Sequence, residues 1–294
     1  MASYAALRAR SLFGRRRRVS ALILVRLLVR TWNVFHGNAF PAERDAFLEE
    51  MVRLATADEP DVLCIQEVPV WALERLGDWS GMTVYGEVAT PPRLGPVASS
   101  AELGRRLTEL DHGRLRSAFS GQANAILVAS RLRALDRASV VLNSGPFRRA
   151  QARWLGLDLI ARLAWAKERR ICQAVRLDLS DGRAALLANL HATGLPDDRL
   201  PDAELFRAAS FADGLARPGE ICVLAGDFNV RPARSRTLAE LAGPEWRFSE
   251  PREGLDQVLV RGTEIEASER WPVIRRRLDG RILSDHAPVE ARID

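Results

Sequence analysis

Cysteine is scarce in this chain, and the little there is forms no pattern. Cys64, Cys172 and Cys222 each lie inside an apolar run, far apart in the sequence. An odd count without close spacing excludes a disulfide framework and a cysteine-based zinc site. It fits three buried, reduced thiols and a reducing cytoplasm. Long apolar stretches are missing too. The run Ala21 to Val25 is followed closely by Arg26 and Arg30, so it is too short to span a bilayer. No Ser/Gly/Pro-rich linker divides the chain. The loosest stretch, Ala89 to Pro96, has the length of a surface loop. There is no internal repeat, and no low-complexity tract beyond an initial arginine run. A length of 294 residues with 47% hydrophobic content therefore implies one large domain rather than two.

Acidic residues are absent from the first 42 positions, which hold eight arginines and contribute +8. The whole chain carries +5, which leaves −3 for the rest. The basic balance thus belongs to the N-terminus, and the folded part lacks the clustered positive charge of a generic duplex-DNA binder. We expect residues 1–24 to be a basic, disordered extension and residues 25–294 to form the catalytic domain. Arg15 to Arg18 followed by Ala21 to Val25 superficially resembles a twin-arginine export signal. Against this, no small-residue cleavage site precedes Asn33, and the apolar run is needed as the first strand. The expected location is the cytoplasm, with export as the alternative. An arginine arm can touch phosphates, although such runs are usually solvated tails.

Periodicity and turn residues predict helices over 41–57, 70–76, 98–110 and 199–216. Strands are predicted over 61–67, 82–88, 124–128, 139–142, 171–179, 184–191 and 221–225. Ser180 to Arg183 contains Asp-Gly, the chemistry of a tight hairpin turn. Helices alternating with strands, some joined as hairpins, fit two mixed sheets packed face to face with helices outside. The expected class is α/β.

Apolar runs in this chain repeatedly end in polar side chains of catalytic type. Thr31-Trp32-Asn33 follows Leu27 to Val29, and Gln66-Glu67 follows Val62 to Ile65. Asn189-Leu190-His191 follows Ala185 to Ala188, and Gly226-Asp227-Phe228-Asn229 follows Ile221 to Ala225. Asp256 precedes Val258 to Val260, and Ser284-Asp285-His286 precedes Ala287 to Ala291. Any one of these could simply be a solvated strand end or a turn acid, and His191 alone could be a satisfied core histidine. Together they would converge on one rim of a sheet, the usual place for a site in layered α/β proteins.

The order N, QE, NxH, GDFN, D and SDH resembles the endonuclease/exonuclease/phosphatase superfamily from about Leu27 to Ile293, with Gly121 to Leu127 included. That resemblance implies a four-layered α-β-β-α sandwich of two mixed sheets flanked by helices. It also implies a Mg²⁺- or Mn²⁺-dependent hydrolase of phosphate esters, since oxygen ligands favour hard cations. Glu67 is then the principal metal ligand, Asn33 lies beside the ion, and Asp285 completes the metal environment from the opposite side. Asp256 orients His286, which serves as general base or as phosphate-contacting acid. Asp227 and Asn229, two apart on an extended segment, position the attacking water and a phosphoryl oxygen. The base role stays open between Asp227 and His286. His191 donates to a non-bridging phosphoryl oxygen, and Asn124 contributes a phosphate or site hydrogen bond.

His36 and His112 lack a motif and are expected to be surface or structural residues. Arg275 to Arg277 with Arg281 could form a substrate-phosphate patch or a solvated face. Gln257 follows Asp256 where many nucleases of the group carry an aromatic, and the only tyrosines are Tyr4 and Tyr85. That argues against the apurinic-site endonucleases.

The first function expected is a phosphodiesterase or endonuclease acting on nucleic acid as a monomer. A sphingomyelinase-like lipid phosphodiesterase would want an exposed apolar surface, for which Trp154 to Leu157 and Leu159 to Trp165 are candidates if they are not helix core. An inositol-phosphate phosphatase and a catalytically silent nucleic-acid-binding module are the remaining alternatives.

Overall fold

The computed structural model describes residues 26–115 and 119–294, so the expected extension over 1–24 lies outside the described residues. Eleven strands make two sheets. The first sheet contains β1 (Leu27–Asn33), β2 (Val62–Val68), β3 (Thr83–Thr90), β4 (Gln122–Val128), β10 (Ile265–Arg270) and β11 (Val289–Ile293). Its order is β10-β11-β1-β2-β4-β3, with only β1 and β2 parallel. The second contains β5 (Arg133–Val141), β6 (Ile171–Asp178), β7 (Ala184–His191), β8 (Ile221–Asp227) and β9 (Asp256–Arg261). Its order is β9-β8-β7-β6-β5, with only β7 and β8 parallel.

The period of two along each strand sorts side chains between two cores. Val29, Cys64, Ile126, Leu187 and Val223 fill the space between the sheets. Their neighbours Leu63, Ile65 and Leu127 pack outward under helix α1 (Leu48–Thr56). Leu186, Ala188 and Leu224 pack outward under helix α2 (Arg199–Leu215). The result is the expected four layers, helix, sheet, sheet, helix. All three cysteines are buried thiols.

The same alternation places polar residues in the inter-sheet space toward one rim. Gln66 follows Cys64 by two and Asn189 follows Leu187 by two, so both point inward. Gln66 Nε2 donates to Asn189 Oδ1 at 2.7 Å and to Thr31 Oγ1 at 3.0 Å. Asn189 Nδ2 donates to the carbonyls of Ile65 (3.1 Å) and Ala125 (3.0 Å). This buried amide pair joins the two sheets beneath the cleft. Leaving either amide unpaired there would cost about 1–3 kcal/mol.

Most predicted elements stand within a few residues of their expected limits. The first helix begins at Leu48 rather than near Pro41, because residues 39–40 pair with 282–283 in a small three-stranded sheet. Residues 70–76 form a 3₁₀ turn, Val70–Ala72, and the α-helix follows at Leu76–Ser80. The strand anticipated at 139–142 spans Arg133–Val141. The hairpin at Asp181-Gly182 is present, with Gly182 at φ +85°. The segment 159–165 is helical, yet it is not core: Leu159, Ile160 and Leu163 are exposed while Trp165 is buried.

Candidate active site

Parallel pairing of β7 with β8 sets His191 beside Asp227, and antiparallel pairing of β8 with β9 sets Asp227 beside Asp256. Gly226 makes this possible. A Cβ there would stand 1.9 Å from Leu190 O, so no other residue lets β8 lie this close to β7. On the first sheet, simple alternation would turn Glu67 away from the cleft. The register shifts between Ile65 and Val68, and Glu67 adopts φ +56°, which turns the carboxylate back toward the rim. Left-handed backbone at a non-glycine residue costs on the order of 1–3 kcal/mol and marks functional positions. Asn229 (φ +51°) and Ser284 (φ +59°) share it.

The C-terminal motif is bolted to the end of β1. Ser284 Oγ donates to Asn33 O at 2.7 Å and accepts from His286 N at 3.0 Å. Trp32 Nε1 donates to His286 O at 3.0 Å. Sequence separation is thereby erased, and Asn33, Glu67, His191, Asp227, Asn229, Asp256 and His286 meet in one cleft. Asp227 is the hub. Its Oδ2 accepts from Asn33 Nδ2 at 3.0 Å and from Asn229 Nδ2 at 3.2 Å. His191 Nε2 and His286 Nε2 stand 3.6 and 3.8 Å from that same oxygen. Glu67 Oε1 lies 3.3 Å from Asn33 Nδ2 and 3.6 Å from His191 Nε2.

The two imidazoles differ in protonation. His286 Nδ1 is 3.0 Å from both oxygens of Asp256, which act only as acceptors. Burial opposes its charged form, but the Asp256 hydrogen bond and the charges of Asp227, Asp256 and Asp285 win. They push its pKa up to about 10. His191 Nδ1 instead receives the Gln122 amide at 2.8 Å, and Arg170 Nη1 stands 3.0 Å from both ring nitrogens. The Gln122 N–H can only donate, so Nδ1 accepts and the neutral ring carries its proton on Nε2. Burial, and then the nearby charge of Arg170, hold the His191 pKa well below its usual value. Burial likewise pushes Glu67 up to about 7 against the opposing pull of Arg170 and Asn33, and it raises Asp227.

Asn229 does not reach the cleft along an extended segment. Its left-handed turn folds it back, so that its N–H donates to Asp227 Oδ1 at 3.0 Å and its amide to Ala192 O at 2.9 Å. It braces Asp227. Asp285 sits exposed on the rim, where among the described residues its carboxylate makes no ion pair and stands 3.5 Å from Ser284 Oγ. Asn124 is fully buried, with neither amide atom hydrogen-bonded among the described residues.

Three neighbours had been given no site role from the sequence: Gln122, Arg170 and His36. Gln122 lies two before Asn124 on the same strand face, and Arg170 directly precedes a strand that starts at the rim. His36, expected at the surface or in a structural place, is buried with Nε2 at 3.3 Å from Glu67 Oε2. His112 is structural, its Nε2 2.8 Å from His36 O. The arginine patch disperses. Arg275 stacks on Trp271 and pairs with Asp58 and Glu269, while Arg281 pairs with Glu43. Arg276 alone of the four lines a cleft of about 500 Å³ beside Asp256 and His286, together with Arg231 and Arg270.

Residues 31–286 match the endonuclease/exonuclease/phosphatase family. The chain belongs to that family. Solved members and relatives share its fold at low identity. An endonuclease/exonuclease/phosphatase from Bacteroides vulgatus superposes with a TM-score of 0.64 at 14% identity, covering 92% of this chain and 99% of its own. A functionally unknown conserved protein from Enterococcus faecalis gives 0.61 at 16%, covering 91% and 99%. TDP2 from Caenorhabditis elegans gives 0.57 at 15%, covering 92% of this chain and 74% of its own. No curated protein matches the sequence. Family membership makes the chain a phosphoesterase in general terms. Among the described residues no helix is long and apolar enough to cross a membrane.

Proposed function

We propose that the protein is a Mg²⁺- or Mn²⁺-dependent phosphodiesterase, and that the convergence of one neutral and one protonated histidine on Asp227 carries this reading. Phosphate-ester hydrolysis needs charge neutralisation at the phosphoryl oxygens, an activated water and a stabilised leaving oxygen. The donor set fits a hard cation. Glu67 offers its carboxylate, with the Asn33 Nδ2–H beside it to help place ion or phosphate, and a carboxylate whose pKa is raised by burial is one that a cation relieves. The orphaned Asn124 amide on the same inner face offers a further oxygen or N–H to ion or phosphate. Asp285 adds negative charge at the rim. Among the described residues, Asp227, Asp256 and His286 also have ligand spacing. However, His286 Nδ1 is already committed to Asp256, so that group suits proton handling better. A bound divalent ion would act as Lewis acid on the phosphoryl group.

The chain's own groups divide the remaining work. Asp227, held by Asn33 and Asn229, takes the proton of the attacking water. His286, kept charged by Asp256, stabilises the phosphoryl oxygens and supplies a proton to the leaving oxygen. His191 presents its Nε2–H to a non-bridging oxygen. Arg231, Arg270 and Arg276 along the adjoining cleft suit a substrate with flanking phosphates, which supports a nucleic acid. The exposed apolar helix at 159–166 favours a second reading, a phospholipid diester. A Mg²⁺-supplemented screen over bis-p-nitrophenyl phosphate, plasmid DNA, RNA, sphingomyelin and inositol phosphates tests both. Hydrolysis that persists in EDTA would overturn metal dependence, and turnover of monoesters alone would overturn the diesterase reading.

A further inference from the structure

Between β5 and β6 the chain builds two helices, α3 (Gly145–Trp154) and α4 (Leu159–Ala166), that pack on each other. β6 runs antiparallel to β7, so this connection leaves and re-enters the second sheet at the rim where His191 lies. It ends on Arg170, which touches His191. From beneath, the pair is pinned by Trp165, whose Nε1 donates to the buried Glu204 at 2.6 Å. The opposite face is left apolar. Trp154 is 79% exposed, Leu159 70%, Ile160 79% and Leu163 63%. Among the described residues, every exposed large hydrophobic except Phe40, Leu135 and Phe206 lies on a segment joining strand ends at the catalytic rim.

Beside this apolar face lies a cavity of about 280 Å³ between the two helices. Arg148, Arg149, Arg153 and Arg162 line it, and no acidic residue does. Four guanidiniums without a carboxylate form a receptor for anionic oxygens, and phosphate suits their bidentate geometry. Apolar side chains next to arginines on a short, firmly anchored helical pair form an interfacial device. The apolar groups enter the acyl boundary while the cations meet the headgroups. Other occupants fit less well. Aliphatic Leu159, Ile160 and Leu163 cannot stack on bases, so a single strand of nucleic acid would use Trp154 alone. A second copy, or the arginine-rich first residues of this chain, would bring like charge against the four arginines.

We infer that the α3–α4 pair docks the protein on anionic phospholipid bilayers, with the catalytic rim facing the membrane. This goes beyond phosphodiester hydrolysis, because it states where the enzyme works. The test is co-sedimentation of the full chain in EDTA with vesicles of phosphatidylcholine alone and of phosphatidylcholine with phosphatidylglycerol. The wild type should bind the mixed vesicles and barely bind the neutral ones. Trp154→Ser with Ile160→Ser and Leu163→Ser should weaken binding tenfold or more. Arg149→Ser with Arg153→Ser should weaken it on the order of tenfold and flatten its salt dependence. Both variants should keep the wild-type melt and the wild-type rate on a soluble diester, which separates docking from catalysis. Absence of wild-type binding to mixed vesicles would overturn the inference. So would an apolar variant that binds like the wild type. A single-stranded oligonucleotide bound through the arginines, and indifferent to the apolar substitutions, would assign the patch to a polyanion instead.

Discussion

The two walls of the cleft present the same side chain to the same carboxylate oxygen and give it opposite properties. On the wall built by the second sheet, His191 is backed by donors, Gln122 and Arg170, and stays neutral. On the wall built by the C-terminal loop, His286 is backed by an acceptor, Asp256, and stays charged. Both rings point Nε2 at Asp227, within 3.8 Å. Residue type therefore does not set the role of an imidazole here. Its surroundings do: burial and then Arg170 keep His191 neutral, whereas Asp256 and the neighbouring carboxylates keep His286 charged against burial.

The largest effects should come from the charged wall. His286→Ala should lower turnover of a soluble diester by about 10²–10⁴-fold while Mg²⁺ titration stays near wild type. Asp256→Asn should act in the same direction and less strongly. A His286→Ala enzyme at full rate would break the comparison outright. Glu67→Gln keeps shape and removes the ligand charge, so apparent Mg²⁺ affinity should fall at least about tenfold, with activity partly recovered by excess metal. Recovery without added metal would mean that the ion is held elsewhere.

Arg170→Met tests the neutral wall. Loss of the guanidinium should let the His191 ring titrate closer to its ordinary value, visible in ring ¹⁵N shifts, and cost about tenfold in rate. An unmoved ring would leave burial alone as the cause. The smallest effect concerns stability. The His286 pKa is pushed up to about 10 in the folded protein, from an ordinary value of about 6.5. Its contribution is therefore fully present below about pH 6.5 and is lost as pH rises through about 10. In EDTA the melting temperature should decline across that window, and Asp256→Asn should flatten the decline.

Much of this was legible in the sequence, because the site is assembled at the C-terminal ends of parallel strands. Asn33, Glu67, His191 and Asp227 each follow an apolar run, and hydropathy marks such ends directly. The misses come from the other direction of travel. Gln122 and Arg170 stand where antiparallel strands begin, so the same rim receives residues that precede an apolar run. Asp256 and His286 were found there only through the motif order. His36 sits in a 3₁₀ turn, with a backbone that no local pattern announces. Exposure of Leu159, Ile160 and Leu163 was equally hidden, because an apolar helix carries no label for what covers it.

The Gln66–Asn189 amide pair has a mechanical consequence. Glu67 and Asn33 are carried by one sheet, and His191 and Asp227 by the other. No backbone ladder indexes one against the other. Apolar surfaces alone would let them slide, and slippage by one residue along a strand is about 3.3 Å, comparable to every spacing in the cleft. Two interlocked amides, one on each sheet beneath the cleft, act with the Asn33–Asp227 and Gln173–Tyr85 bonds as a detent against that slippage. Lengthening or shortening either by one methylene would detune the enzyme while every catalytic side chain remained in place.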